Sequence, residues 1–398
     1  MLYPLSKQIS YFARVDFRDD QRLFGIHQAD RLMGMYLLGK TGSGKSTTLK
    51  TLFYQDMLHD RGACLFDVHG DLFKQILAII PKHRKQDVIL FDATNPDITL
   101  GYNPLRRVSY HKRALVASSI LETFQKLWGQ QGWGVKLEYI LRQVLLTLLD
   151  QPNANFGDIP KILLDDSYRA SCLPHIINPH VLRFWHKEFP KLSSKTDLLP
   201  VLNKVSGFLA IPIIQKILVE NKAQISLRSI MDNQRILLIN LSKGSLGSDG
   251  VHLLGSLLLT AFASSAYSRI DLEESSRKSF FLYLDEFQNY TSGSMTTMLS
   301  ELRKFKVGFI LAHQYLHQLS ADIRNAVLGN IGIIICYKLG QADAKYMEKE
   351  FYPVFSASDF VNLSHHHIYL KLLIQGHVSE AFSAKTIQHT ALDTNKVF

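Results

Sequence analysis

The run Gly39-Lys40-Thr41-Gly42-Ser43-Gly44-Lys45-Ser46 meets the G-x-x-x-x-G-K-[ST] pattern at every fixed position. Three glycines let the backbone wind so tightly that successive N–H groups converge on a polyphosphate, and a helix starting near Lys45 adds its positive end. Lys45 is expected to reach the β- and γ-phosphates of ATP, and the Ser46 hydroxyl to take one position on Mg²⁺, with Thr47 continuing the ATP contacts. Much later, Leu282-Tyr283-Leu284-Asp285-Glu286 is an apolar run that ends in two carboxylates. Asp285 suits the Mg²⁺ shell beside Ser46. Glu286 suits the polarisation of a water, which is a weak nucleophile without a base. After the next apolar run comes Ala312-His313-Gln314, whose amide is placed to sense a γ-phosphate or orient that water. Together these residues spell hydrolysis of ATP to ADP and phosphate.

Such chemistry also calls for a cation against the γ-phosphate, commonly an arginine from a neighbouring subunit. Arg303 lies between the carboxylate pair and Gln314, although by itself Glu301-Leu302-Arg303-Lys304-Phe305-Lys306 reads better as a solvated helix. Three other features invite chemistry and more plausibly serve structure. Asp67-Val68-His69-Gly70-Asp71 resembles a metal cluster but sits at a strand-to-turn junction. His365-His366-His367 cannot turn three rings to one metal if it leads into a strand, where side chains alternate. Trp128 and Trp133 flank a glycine-rich turn and read as packing anchors.

These residues need a frame. An apolar run, Met33 to Leu38, enters the phosphate loop, and Leu49, Leu52, Phe53 and Met57 recur at helical spacing after it. A strand at Ala63–Asp67, a helix over Asp71–Ile80 closed by Pro81, and a strand at Val88–Phe91 follow. This alternation predicts an α/β fold: a mostly parallel sheet with helices on both faces. From Tyr110 to Leu227 the pattern is helical, clearest in the stripe Leu137, Ile140, Leu141, Val144, Leu145, Leu148. Strands return at 235–241, 280–284, 307–311 and 331–336, with helices at 250–269, 294–305 and 316–328 between them. The expected division is therefore 1–109 and 228–398 for the two parts of the core, around an inserted helical domain at 110–227. Residues 1–32, with charges at Arg14, Asp16, Arg18, Asp19 and Asp20, read as one or two short strands and a loop. His367–Ile374 and Ser379–Thr386 read as a last strand and a tail.

The bulk properties agree. A 398-residue chain with 46% hydrophobic and 20% charged residues buries a large core, which excludes disorder as a major theme. Forty-five basic against thirty-five acidic residues give a net charge of +10, suited to a polyanion such as nucleic acid. Cys64, Cys172 and Cys336 lie far apart without metal or disulfide spacing, as in a reducing compartment. The first residues have no signal-peptide core, and the uncharged stretch Val251–Ser268 is polar enough to be a buried helix and not a membrane span. A cytoplasmic location without stable membrane insertion is the expectation.

At this point the residues resemble a family. Gly39–Ser46, Phe66–Leu72, Tyr102-Asn103-Pro104-Leu105, Leu282–Phe287, Ala312–Gln314 and Leu328-Gly329-Asn330-Ile331-Gly332 are similar to motifs of the HerA–FtsK group of P-loop ATPases. The chain looks most like the soluble ATPase part of type IV secretion and conjugative coupling proteins. The resemblance implies a RecA-like motor core with an inserted helical domain, a homohexameric ring, DNA in a central channel and ATP between subunits. It also implies a trans-acting role for Arg303, eleven residues before Gln314. Three departures stand out: the transmembrane helices of anchored coupling proteins and the N-terminal β-barrel of HerA-type helicases have no counterpart, and Val68 replaces the usual proline.

The leading expectation is thus a DNA-stimulated ATPase that forms a ring and moves DNA. Lys243–Gly250, with Lys243 touching DNA, and Gln288–Ser294 are its candidate pore loops. The alternative is an ATP-dependent oligomeric adaptor that recruits a nuclease, relaxase or secretion partner through the helical insertion. A small-molecule kinase fits poorly with the 240 positions between Lys45 and Asp285.

Overall fold

A computed structural model describes residues 6–16, 21–106, 108–291 and 293–392; Arg18, Asp19 and Asp20 lie outside them. Its main strands are β1 (Ile9–Val15), β2 (Leu23–His27), β3 (Met35–Leu38), β4 (Gly62–Asp67), β5 (Val88–Asp92) and β6 (Ile236–Asn240). They continue with β7 (Phe280–Leu284), β8 (Val307–His313), β9 (Ile333–Cys336), β10 (His367–Lys371) and β11 (Phe382–Thr386). One eleven-stranded sheet runs in the order β2-β1-β11-β10-β9-β3-β8-β7-β4-β6-β5. From β9 to β6 every neighbouring pair is parallel. These central strands are apolar throughout because both of their faces are covered, and all their residues are buried.

One face packs on the helix Lys45–Leu58, through Leu49, Leu52, Phe53 and Met57, and on the helix Asp71–Leu77, through Leu72, Phe73 and Ile76. On the other face Phe287 lies 6.1 Å from Tyr36 and Tyr290 lies 5.3 Å from Phe66, ring to ring. Helix Ser294–Glu301 follows, with Met295 and Met298 buried. The fold is the α/β arrangement that the strand–helix alternation predicted.

The N-terminal segment forms two short strands, as expected, and the C-terminal end differs from expectation. The expected last strand is β10, but the expected tail forms a further strand, β11, and with β1 and β2 they extend the sheet antiparallel. β11 buries only Ala384 and Thr386, with Lys385 exposed between them, the mark of a strand covered on one face, and so weak a signal blurs in the sequence. Helices Gln341–Phe351 and Ala357–Asn362, also unpredicted, join β9 to β10. Phe355 stacks on Tyr369 at 3.8 Å to seat that connection.

The chain divides into two compact units, Met1–Leu90 with Leu227–Asn240 and Ala263–Phe398, and Phe91–Ser226 with Leu241–Phe262. The second is helical. Its helix Val135–Asp150 buries Leu137, Ile140, Leu141, Val144, Leu145 and Leu148, the predicted stripe. A two-residue parallel pairing of Leu100–Gly101 with Ala223–Gln224 ties the two ends of its longer segment together. Trp128 stacks on Phe124 at 4.6 Å and on Trp133 at 5.8 Å, and Lys204 sits 4.6 Å over the Trp128 ring. The run Lys243–Asp271 is long and apolar enough to cross a membrane, yet 67% of its apolar window is buried within the protein.

Candidate nucleotide site

Strand β3 delivers the chain to Gly39, and the helix Lys45–Leu58 takes it away. Between them Gly42 (φ 75°) and Gly44 (φ 119°) adopt left-handed backbone that a side chain would strain, and a Cβ on Gly39 would fall 2.5 Å from Tyr337. Lys45 is buried, and its Nζ donates to the carbonyls of Gly39 at 2.5 Å and Lys40 at 3.2 Å. Burial lowers its pKa, while nearby Glu286 and Asp285 pull in the opposite direction.

Strand β7 lies between β8 and β4, so its end faces the loop across one intervening strand. Asp285 continues the pairing by donating its N–H to the Phe66 carbonyl at 3.1 Å. Its carboxyl is pushed up to about 7, by burial first and then by the negative charges of Glu286 and Asp67. Glu286 itself has left-handed backbone (φ 50°), which turns the chain into a short 3-10 turn at Phe287–Asn289. That turn aims its carboxylate at two amides. Gln314 Nε2 donates to Glu286 Oε1 at 2.5 Å and Gln288 Nε2 to Oε2 at 2.8 Å. The Gln314 carbonyl in turn accepts from the Thr41 hydroxyl at 2.8 Å. Behind it, buried His313 lies 3.0 Å from the Tyr36 hydroxyl and is pushed down to about 3 by burial and by Lys45. It stays neutral.

The resulting cleft, about 240 Å³, is lined by Thr41, Gly42, Gly44, Lys45, Ser46, Thr47, His69, Asp285, Glu286, Gln314 and His366. Ser46 and Asp285 offer hard oxygens to one space, and Glu286 lines it beside them. That donor set suits Mg²⁺, which takes one or two protein oxygens and completes its shell with phosphate and water. Among the described residues no group of three or more His, Cys, Asp or Glu could cage a metal alone. Asp67 spends both carboxylate oxygens on the turn after β4, accepting from the N–H of His69 and of Phe73 at 2.8 Å each.

Other predicted residues stand elsewhere. Arg303 precedes β8 and contacts Met33, just ahead of β3. The phosphate loop and Gln314 follow the far ends of those parallel strands, and the seven residues of β8 span about 20 Å. Arg303 therefore cannot reach its own chain's phosphate loop. Lys243 belongs to the other unit, and Lys243–Gly250 is not an open loop: it is the start of the helix Lys243–Tyr267, broken at Gly247 (φ 67°). Gln288–Ser294 is partly buried among its described residues. Tyr290 and Thr291 are buried, Tyr290 packing on Phe66, Ser292 lies outside the described residues, and Ser294 begins a helix. Sequence reasoning passed over Gln288, Tyr337 and His366 as site residues. Gln288, two positions from Glu286, had a local signal; the other two did not.

A phosphate loop on a central parallel strand, with an acidic strand end and a polar strand end beside it, defines a RecA-like P-loop NTPase core. No protein-family model matches the sequence, and no curated protein matches it either. Among solved structures, the plasmid coupling protein TrwB with the non-hydrolysable GTP analogue GDPNP is similar with a TM-score of 0.67 at 15% identity, over 94% of this chain and 89% of that one. TrwB with ADP and Mg²⁺ gives the same values. VirB4 of Thermoanaerobacter pseudethanolicus has a TM-score of 0.64 at 13% identity, over 96% of this chain and 97% of its own. The chain shares the fold of TrwB and VirB4, the RecA-like fold with a helical insertion that the sequence motifs implied.

Proposed function

We propose that this chain is an ATP-hydrolysing DNA motor of the coupling-protein type, acting in the cytoplasm as a ring, most simply a homohexamer. The observation that carries the reading is the chain of hydrogen bonds from Thr41 through Gln314 to Glu286, which ties the phosphate loop to a carboxylate able to take a proton from water. In this reading the loop amides and Lys45 hold the β- and γ-phosphates. Glu286 orients and deprotonates the attacking water, and Gln314 reports the γ-phosphate to it. Mg²⁺, held by Ser46 and Asp285, supplies charge neutralisation at the phosphates. Arg303, remote from its own site, supplies the missing cation to the next subunit's nucleotide. The net charge of +10 supports a polyanionic partner, as does the likeness to a plasmid coupling protein.

The test is ATP turnover of the purified protein with no DNA, single-stranded DNA and duplex DNA. Stimulation by either, steeply weakened by salt, is expected, and turnover indifferent to both sinks the motor reading. Glu286→Gln is expected to lower kcat by about 10²–10³-fold while nucleotide still binds.

A second reading is an ATP-gated adaptor that recruits a nuclease, relaxase or secretion partner. It draws on Leu115, Leu164 and Ile177 of the helical unit, which are 69%, 67% and 56% exposed. An adaptor keeps its biological activity in Glu286→Gln, whereas a motor loses it.

A further inference from the structure

The cleft has a wall that the hydrolysis chemistry does not use. Glu286 and Gln314 follow β7 and β8, on one side of the phosphate loop; on the other side lie β9 and β10. The turn that enters β10 lies directly on the loop. The His366 N–H donates to the Ser43 carbonyl at 3.3 Å, and His365 Nδ1 is 3.2 Å from the Gly42 carbonyl. The half-buried imidazole of His366 stands over Gly44, its Nδ1 3.0 Å from where a Cβ on that glycine would be. It reaches this place through left-handed backbone (φ 63°), held from β11 by the Thr386 N–H and hydroxyl on the His366 carbonyl at 2.8 and 3.2 Å. Such backbone is uncommon outside glycine, and histidine is among the residues that adopt it most readily.

A triphosphate whose γ end faces Glu286 and Gln314 must run its α-phosphate and nucleoside toward the opposite wall. We propose that His366 is the protein's contact for the nucleoside of the bound nucleotide, its imidazole packing against base and ribose beside the α-phosphate. The site then has two ends, a hydrolytic one built on β7 and β8 and a nucleoside one built on the turn into β10. This rests on the nucleotide reading above.

The test compares MgATP, MgADP and inorganic tripolyphosphate by titration calorimetry on the full chain. His366→Asn is the informative variant, because asparagine tolerates left-handed backbone and removes the ring; His366→Gly is the second. ATP and ADP are expected to bind about tenfold more weakly in both variants, with tripolyphosphate unchanged. Equal loss for all three ligands means that the ring only braces the loop, and unchanged affinities mean that it touches nothing; either result overturns the proposal. Photolabelling with 8-azido-ATP settles the matter if tripolyphosphate binds too weakly to titrate. The label is expected on the peptide that carries His366, and a label confined elsewhere overturns the assignment. Lys45→Ala separates the two layers, since nucleotide binding that survives it undermines the nucleotide site itself, whatever His366 does.

Discussion

Gln314 Nε2 donates to Glu286 Oε1 at 2.5 Å, so the ends of two adjacent parallel strands share one hydrogen bond across the floor of the cleft. The Gln314 carbonyl also accepts from Thr41, so one amide links the phosphate loop to the carboxylate. Gln314→Ala is expected to lower kcat by about 10²-fold with little change in ATP affinity. Thr41→Val, which only frees the amide, is expected to have a smaller effect in the same direction. Single-turnover kinetics beside equilibrium binding checks both, and a pure binding defect argues against the relay.

Asp285 predicts a pH dependence of stability with a definite sign. Its carboxyl rises from 3.8 to about 7 on folding, chiefly through burial. Below about pH 4 both states are protonated and the group contributes nothing. Between about pH 4 and 7 the unfolded chain releases the proton while the folded chain keeps it, so stability falls as pH rises and is lowest above 7. Asp285→Asn removes that decline. In the absence of nucleotide and Mg²⁺ it is expected to gain roughly 2–4 kcal/mol at pH 8 and almost nothing at pH 4. Denaturant titrations at the two pH values decide, and equal gains at both would rule out the buried carboxylate as the cause.

Arg303 lies beyond the reach of its own phosphate loop, so its proposed role requires a second copy of the chain. Arg303→Ala alone is expected to bind ATP normally and to turn it over about 10³-fold more slowly in the assembled state. Mixing it with Lys45→Ala protein should restore part of the activity, because one subunit keeps the site and the other the arginine. No recovery in mixed assemblies speaks for an arginine that is merely solvated.

Beneath the site, Asp56 accepts both guanidinium nitrogens of Arg31 at 2.7 Å, Arg61 Nε at 2.6 Å and the Tyr283 hydroxyl at 2.5 Å. Arg31, Asp56 and Tyr283 are fully buried, and the cluster pins the helix after the phosphate loop to β7, the strand that leads to Asp285. Asp56→Ala strands a buried cation and is expected to cost about 3–5 kcal/mol in urea unfolding. Arg31→Met with Asp56→Leu, which removes both charges, is expected to recover most of it. If the double variant is no better than the single, the cost is one of packing and not of unpaired charge.

How far the sequence could be read depended on how far apart the interacting residues lie. Lys45, Asp285, Glu286 and Gln314 declare themselves because each sits in a short run whose pattern carries its own context. The Arg31–Asp56–Tyr283 cluster does not, since a charge in a linear sequence looks solvated until three distant segments close over it. His366 was noticed as one of three adjacent histidines, yet its place depends on β10 and β11, and β11 pairs with β1, where Ala13 meets Thr386.

By itself the sequence determined the phosphate loop, the parallel strands around it, the helical character of the insertion and the acidic end of the strand at 280–284. All follow from local periodicity and from residue types that only one conformation accommodates. Tertiary structure alone decided the antiparallel wing, the hydrogen-bond relay between strand ends, the helical character of the expected loop at 243–250 and the remoteness of Arg303. The reason is physical: a strand's neighbours, and the end of the sheet at which a side chain emerges, are set by pairing between segments that share no local signal.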